Sequence, residues 1–294
     1  MDKASERQWK GQSRGGRFGN AFFVYIIRLF GVRCAYFMLA FVAVYFIPFA
    51  PVATKAIWSY NRKRLGYSIL RSVWELYMHY FTFGQTLIDK IALRAGMQDR
   101  FRFEFDRYER FLEIIDGQSG VILIGAHVGC WEAGSVFFGK YGRKINIVMF
   151  DAEHGSVREV LEKNAHEYDY KVIPVNKGSL EAMLQIKIAL NAGEYVCFNG
   201  DRHIDKASAV EREFMGGKAS FPSGPFRIAV KCKVPVVFYY SVREKGCCYR
   251  FMFTEPVHTI SNSDELLNAY VASLEEVVRN YPRQWFNFYD FWNK

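Results

Sequence analysis

From about residue 119 onward, short apolar runs alternate with amphipathic stretches, and this alternation narrows the possible folds more than any other feature. Short runs rich in β-branched and aromatic residues are typical of strands, whereas the longer stretches repeat at a helical period. The predicted strands cover residues 121–125, 145–150, 171–174, 195–199, 235–241 and 249–254, and the predicted helices cover 131–140, 154–168, 178–192, 224–232 and 263–280. The order predicts an α/β fold with a layered, largely parallel sheet flanked by helices, and with an antiparallel part near its end.

The N-terminal region has a different character. Residues 34–54 form a run of 21 residues without a charge, which is close to the length needed to cross a bilayer. The first 64 residues hold eleven Lys and Arg against Asp2 and Glu6, so the whole net charge of +9 lies there. Basic residues beside an apolar segment favour a membrane with anionic lipids over nucleic acid. We therefore predict a membrane-anchoring helical segment within residues 1–64, with a buried core helix as the alternative.

Residues 66–97 continue with apolar residues at helical spacing and charged residues between them. This pattern predicts an amphipathic helix. Such a helix either lies along a bilayer or covers the following domain, and its periodicity does not separate the two arrangements. The six cysteines include no CxxC pair, which argues against structural zinc and against a secreted disulfide framework.

The first predicted strand leads directly into a turn that contains His127, with Glu132 five residues later. On a regular helix this spacing would separate the two side chains by about 140°. If His127 instead lies in the turn and Glu132 in the first helical turns, the carboxylate can orient the imidazole, and His127 becomes a candidate general base. Gly125 and Gly129 would allow close approach of a substrate. The alternative is a histidine that caps its own helix while Glu132 is solvated.

Four short blocks then follow one another in the chain. They are Gly125-Ala126-His127 with Glu132, Phe198-Asn199-Gly200-Asp201-Arg202, Phe214-Met215-Gly216-Gly217 with Phe221-Pro222-Ser223-Gly224-Pro225, and Lys233-Val234-Pro235-Val236. In type and order they resemble the blocks of the lysophospholipid acyltransferase superfamily, whose first block is His-x4-Asp/Glu. The N-terminal apolar segment and the length resemble its bacterial branch with the late acyltransferases of lipid A biosynthesis. The aromatic C-terminal tail is similar to a predicted acyltransferase subgroup associated with aryl polyene-type lipid pathways.

The resemblance implies that residues 65–294 form an acyltransferase catalytic domain. His127 would take a proton from a hydroxyl or amine of a lipid-like acceptor as the acceptor attacks an acyl thioester of acyl carrier protein or coenzyme A. Glu132 would orient His127, and no metal or other cofactor would be needed. Cys130 is interpreted as a packing residue, because a nucleophilic thiol requires a lowered pKa.

Several further residues are candidates for substrate binding, each with a structural alternative. Arg202 suits a phosphate or another anionic group, or it forms an ion pair with Asp201 or Asp205. The turn at residues 221–225 supplies backbone donors for an oxyanion, or it simply begins a helix. The aromatic residues of 281–292 line an acyl tunnel or a headgroup belt, or they belong to the core. The predicted substrate-binding residues are Asp201, Arg202, Gly129, Ser223 and Gly224.

Three functions from different classes remain open at this point. The first is acyl transfer at the cytoplasmic face of a bacterial inner membrane, because thioester donors are made in the cytosol. The second is hydrolysis of a lipid or thioester by the same His–Glu pair acting on water. The third is lipid binding without catalysis. The four blocks favour the first of these.

Overall fold

The computed structural model has 294 residues. It describes residues 16–106, 109, 112–113, 116–117, 119–130, 133, 144–150, 170–175, 180–202, 209–257 and 262–292. Its helices are α1 (Gly16–Phe49), α2 (Pro51–Ser59), α3 (Ile69–Arg94), α4 (Leu180–Asn191), α5 (Gly224–Cys232) and α6 (Ser263–Asn280). Its strands are β1 (Arg102–Phe105), β2 (Val121–Gly125), β3 (Ile145–Phe150), β4 (Tyr170–Val175), β5 (Tyr195–Asn199), β6 (Ala209–Phe214), β7 (Gly217–Pro222), β8 (Val236–Glu244) and β9 (Cys248–Phe253). Three short helical turns connect them: Tyr60–Arg64, Gln98–Arg100 and Pro282–Gln284.

Seven strands form the main sheet in the order β1-β9-β8-β2-β5-β3-β4. The five strands from β8 to β4 are parallel, and β9 pairs antiparallel with β8 and parallel with β1 at one edge. Strands β6 and β7 form a separate antiparallel hairpin. The predicted α/β class, its parallel sheet and its late antiparallel part are confirmed. Strands β1, β6 and β7 were not predicted, and the predicted helices at 131–140 and 154–168 fall largely outside the described residues.

The central strand β2 is buried along its whole length, as expected for a parallel strand covered on both faces. Ile122 and Ile124 belong to the core beneath α4, α5 and α6. Val121 and Leu123 belong to a second core on the other face of the sheet. The strand order places β2 in the middle of the sheet. Because its side chains alternate between the two cores, the end of β2 lies between two packed layers.

The N-terminal helix α1 packs along α3, which lies within the predicted helix at 66–97. Leu39 of α1 occupies the space beside Gly84 of α3, where a Cβ atom would come within 2.2 Å of the leucine side chain. The buried side of α1 consists of Ile27, Val32, Ala35, Leu39 and Ala43. The helix is broken at Gly31, whose φ of 80° belongs to the left-handed region that favours glycine.

The opposite side of α1 is apolar and exposed. It consists of Tyr25, Leu29, Phe30, Phe37, Phe41, Val44, Tyr45 and Phe49, and it continues at Val52 of α2. Tyr25–Phe49 is long and apolar enough to cross a membrane. The uncharged segment predicted at 34–54 is thus divided between α1 and α2, because the helix ends before Pro51, which starts α2. The packed side of α1 fits the predicted core helix, and the exposed apolar side leaves α1 a candidate membrane anchor.

Candidate active site

His127 and Asp201 lie at the same edge of the parallel sheet. His127 follows β2, and Asp201 follows the neighbouring strand β5. In the register of these strands, Gly125 is opposite Asn199, so the two site residues lie two positions beyond this pair. Because the strands are parallel, both chains leave the sheet at their carboxyl ends, where open α/β sheets place their ligands.

The Asp201 carboxylate makes two hydrogen bonds to His127. One oxygen lies 2.7 Å from the ring nitrogen Nδ1, and the other accepts the His127 backbone N–H at 2.9 Å. The Asp201 side chain is 3% exposed, whereas that of His127 is 19% exposed. The carboxylate thus fixes the imidazole from inside the protein, while the ring stays accessible.

The electrostatics of the pair favour an ionised Asp201. Burial by itself raises the pKa of Asp201, but the charge and hydrogen bonds of His127, together with Arg202, outweigh it and lower that pKa below its ordinary value. A carboxylate on Nδ1 stabilises the tautomer that carries its proton on Nδ1. The nitrogen left to accept a proton is then Nε2, as a general base requires.

The C-terminal segment holds the His127 turn from the other side. The Phe286 N–H donates to the His127 carbonyl at 2.9 Å, and the Gly129 N–H donates to the Gln284 carbonyl at 2.8 Å. The guanidinium of Arg202 donates to the Phe286 carbonyl at 3.0 Å. The position of the imidazole therefore depends on residues from three distant parts of the chain.

The glycines of the turn are explained by protein packing. A Cβ atom on Gly129 would lie 2.0 Å from the Ser241 carbonyl oxygen of β8, and its φ is +64°. A Cβ atom on Gly125 would lie 2.9 Å from the Tyr239 ring. The close approach at both glycines is therefore made by the sheet itself, and a role of Gly129 in substrate binding stays a prediction.

The other predicted site residues have different outcomes. Glu132 lies outside the described residues, so its role as the orienting carboxylate stays a prediction; the structure shows Asp201, predicted as a substrate-binding residue, on Nδ1. Ser223 and Gly224 begin α5, and within the described chain no hydrogen bond joins either of them to His127. Cys130 is buried at 2% exposure in a hydrophobic core, consistent with packing.

The aromatic C-terminal tail is largely part of the core. Trp285, Phe286 and Phe291 are each no more than 5% exposed. The Trp285 ring has edge contacts with Phe214 and Phe291. For these three rings, the packing alternative is the one observed.

A second buried carboxylate, Asp89 of α3, lies outside this site. It accepts hydrogen bonds from the Arg243 Nε at 2.8 Å, from the Tyr249 hydroxyl at 2.7 Å and from the Tyr36 hydroxyl. Asp89 is fully buried, and the Arg243 side chain is 10% exposed. This cluster joins α1, α3 and the β8–β9 hairpin.

The structure thus defines an α/β protein with a histidine–carboxylate pair at the carboxyl edge of a mostly parallel sheet, an arrangement suited to proton transfer. Residues 69–294 match the family of bacterial lipid A biosynthesis acyltransferases, and the chain belongs to this family. It is a lipid acyltransferase, and the family implies lipid-like substrates and acyl thioester donors. The predicted resemblance to the lysophospholipid and lipid A acyltransferases is confirmed, and the similarity of the tail to the aryl polyene-associated subgroup stays a prediction.

The chain is similar to a solved structure, the 1-acyl-sn-glycerophosphate (LPA) acyltransferase PlsC from Thermotoga maritima, with 13% sequence identity and a TM-score of 0.43. The similarity covers 86% of this chain and 99% of that chain. A comparison with curated proteins gave no match.

Proposed function

We propose that this enzyme transfers a fatty acyl chain from the thioester of acyl carrier protein or coenzyme A to a hydroxyl or amine of a lipid-like acceptor. The observation that carries the proposal is the hydrogen bond between His127 Nδ1 and the buried Asp201 carboxylate. This bond favours the tautomer with its proton on Nδ1, which leaves Nε2 to accept a proton. Acyl transfer needs such a base, because a neutral hydroxyl attacks a thioester slowly.

In the proposed step, Nε2 of His127 removes the acceptor proton while the acceptor oxygen or nitrogen attacks the thioester carbonyl. The Asp201 carboxylate stabilises the imidazolium that forms. The tetrahedral intermediate then collapses, the C–S bond breaks, and the imidazolium returns the proton to the leaving thiolate. The product is an ester or an amide, no covalent acyl-enzyme is formed, and the step uses no resident metal or cofactor.

The remaining predicted site residues complete this proposal. Glu132 supports His127 from the segment that follows the turn, and its replacement by Gln lowers the rate of transfer. Arg202 and the turn with Ser223 and Gly224 bind the anionic or carbonyl parts of the substrates. The Arg202 guanidinium already donates to the Phe286 carbonyl, so it is held in place before a substrate arrives.

The test of the reaction is His127→Ala with purified protein, an acyl thioester and a lipid acceptor. We expect transfer to fall by about 10²–10⁴. The variant should still fold, because the partly exposed ring leaves the core intact, but its melting temperature should fall, because the buried Asp201 loses its partner. Acylated lipid is measured by mass spectrometry, and released free fatty acid is measured in parallel. Undiminished transfer by the variant overturns the proposal. Donor cleavage by the unmodified enzyme without acylated lipid shows a thioesterase instead.

We further propose that the enzyme lies on the cytoplasmic face of a bacterial inner membrane, with α1 in the plane of the interface. One side of α1 packs against the protein from Ile27 to Ala43, and Tyr36 binds the buried Asp89. The exposed side is an apolar stripe, as in helices that lie in a membrane interface. Spanning the bilayer would carry α3 and its buried charges into the hydrocarbon region, at a high cost.

Replacing three exposed residues of α1, Phe30, Phe37 and Phe41, by Gln tests this orientation. We expect the triple variant to leave the membrane fraction in vesicle flotation, because its apolar contact area is lost. The control replaces three exposed apolar residues of α4, Leu180, Leu184 and Ile188, by Gln. Equal flotation of both variants contradicts the proposed role of α1.

A further inference from the structure

A cavity of about 1000 Å³ opens beside the break in α1. Residues of three elements line it: Phe30 and Arg33 around the break, Gln85 of α3, and Lys245 in the turn between β8 and β9. Its volume is that of a large ligand site. It is separate from the His127–Asp201 pair, and nothing in the proposed reaction accounts for it.

The lining carries a positive excess. Six basic residues and two acidic residues, Glu75 and Glu244, face this cavity. The acidic residues are engaged: Glu75 pairs with Arg283, and Glu244 lies 3.6 Å from Arg250, which is outside the lining. Arg243 in turn pairs with the buried Asp89.

Arg71 lies 3.9 Å from Glu75 as well. Three of the six cations therefore remain for a ligand: Arg33, Arg100 and Lys245. In the part of the chain that the structure describes, none of them is within 4 Å of a carboxylate oxygen. All three are exposed, so a ligand can reach them. Arg100 lies close to the break in α1, because a Cβ atom on Gly31 would be 3.4 Å from its Nη1 atom. A group with concentrated negative charge suits such a cluster.

Apolar residues adjoin the cations. Phe30 lines the cavity and is 64% exposed, and Leu70, beside the lining residue Arg71, is 85% exposed. Phe30 belongs to the exposed apolar side of α1, which therefore reaches the cavity. Cations next to an apolar stripe match the two ends of an anionic lipid better than they match a free phosphate ion.

We infer that this cavity binds the phosphate-bearing headgroup of an anionic lipid, with the acyl chains along the exposed apolar side of α1. Gln284 connects the cavity to the active site: its side chain bonds to the Arg243 backbone at 2.7 Å, and its carbonyl accepts the Gly129 N–H. A bound lipid therefore lies next to the segment that holds the His127 turn. The inference goes beyond the proposed reaction and does not depend on which lipid is acylated.

The test measures calorimetric binding of dihexanoyl phosphatidylglycerol, below its micelle concentration, to the full chain in a neutral detergent. We expect saturable 1:1 binding, and at least tenfold weaker binding for the triple variant Arg33→Gln/Arg100→Gln/Lys245→Gln. The matched control Lys187→Gln/Arg227→Gln/Lys231→Gln removes the same charge from exposed positions on α4 and α5. Equal loss in both triple variants overturns the inference, because it shows unspecific charge attraction.

A second variant separates a cavity from a charged surface. Gln85→Trp adds bulk inside the cavity without changing its charge, and we expect it to weaken binding at least tenfold as well. Unchanged binding by this variant overturns the inference. Dihexanoyl phosphatidylcholine is expected to bind at least tenfold more weakly, and inorganic phosphate that binds as tightly as the lipid shows an anion site rather than a lipid site.

The same measurements on His127→Ala keep this inference distinct from the proposed reaction. We expect the variant to bind the anionic lipid as the unmodified chain does, since the ring does not line the cavity. Lost transfer with retained binding supports both proposals. Retained transfer with retained binding overturns only the proposed reaction. The binding measured for the cavity variants does not depend on what His127→Ala shows.

Discussion

Asp201 and Asp89 are two buried carboxylates with opposite kinds of partners. Asp201 binds one imidazole, whose side chain is 19% exposed. Asp89 is enclosed by a guanidinium and two tyrosine hydroxyls, and the Arg243 side chain is only 10% exposed. The first carboxylate bonds to an imidazole, which can accept and donate a proton, and the second bonds to a guanidinium, which is always charged.

In the proposed reaction, this difference separates a carboxylate that takes part in the chemistry from one that stabilises the structure. A buried ion pair whose basic member always stays charged has no proton to transfer. Removing one member of such a pair leaves the other charge uncompensated. A buried carboxylate on a reachable histidine controls which ring nitrogen holds the proton. Burial alone therefore identifies neither role, and the partner does.

The largest effect on activity is expected for Asp201→Asn. The His127 backbone N–H needs an acceptor, so the amide oxygen would face it and the NH2 group would face Nδ1. That donor forces the proton onto Nε2, where the ring can no longer act as a base. We expect kcat to fall by about 10²–10⁴, measured by acylated lipid formed per minute. A loss below about threefold would contradict the assigned role.

The largest effect on stability is expected for Asp89→Asn. The change leaves Arg243 with its charge and without its carboxylate in a buried place. We expect the free energy of unfolding to fall by about 3–5 kcal/mol, measured by urea denaturation in detergent. Activity per folded molecule should change far less than in Asp201→Asn. The reverse ranking of the two variants in both assays would remove the distinction between the two sites.

A smaller effect is expected in the pH dependence of stability. Because the pKa of Asp201 is lowered in the folded protein, its contribution to stability is present above its ordinary pKa of about 3.9 and is lost as pH falls through the folded value. Unfolding free energies of the unmodified chain should therefore fall more steeply below about pH 4 than those of Asp201→Asn. Parallel curves for the two proteins would show that Asp201 is not stabilised by His127.

Much of the sheet follows from the sequence, because its strands are short apolar runs between turns. The parallel β2, β3, β4 and β5 and the late antiparallel β9 could be predicted in this way. The strand β1 could not, because its four residues have alternating partial burial and no strong apolar run. The hairpin of β6 and β7 has the same difficulty, since half of β6 is polar or charged.

The partner of His127 was harder to predict than His127 itself. Local spacing pointed to Glu132, five residues away, and its role stays a prediction. The carboxylate observed on Nδ1 belongs to Asp201, which is 74 residues away in sequence. The missing information is strand adjacency: once β2 and β5 are neighbours, their register brings the residues after both strands together. Asp201 was predicted as a site residue, but its function as the His127 partner required the sheet order.

The uncharged N-terminal segment was ambiguous for a similar reason. Hydropathy adds all faces of a helix together, so it does not distinguish a helix that packs on one side from a helix that spans a bilayer. The small residues Ala35 and Ala43 allow close packing against α3, and the rings of Phe37 and Phe41 point away from it. Only the tertiary contacts separate these two faces.

A double-variant cycle tests the central claim most directly, namely that His127 and Asp201 act as one proton-transfer unit. Acyl transfer is measured for His127→Ala, for Asp201→Asn and for the double variant under identical conditions. If the two residues form one unit, the double variant transfers acyl chains about as slowly as His127→Ala alone. If the losses of the single variants multiply in the double variant, the two residues act independently, and the claim of a single proton-transfer unit is contradicted.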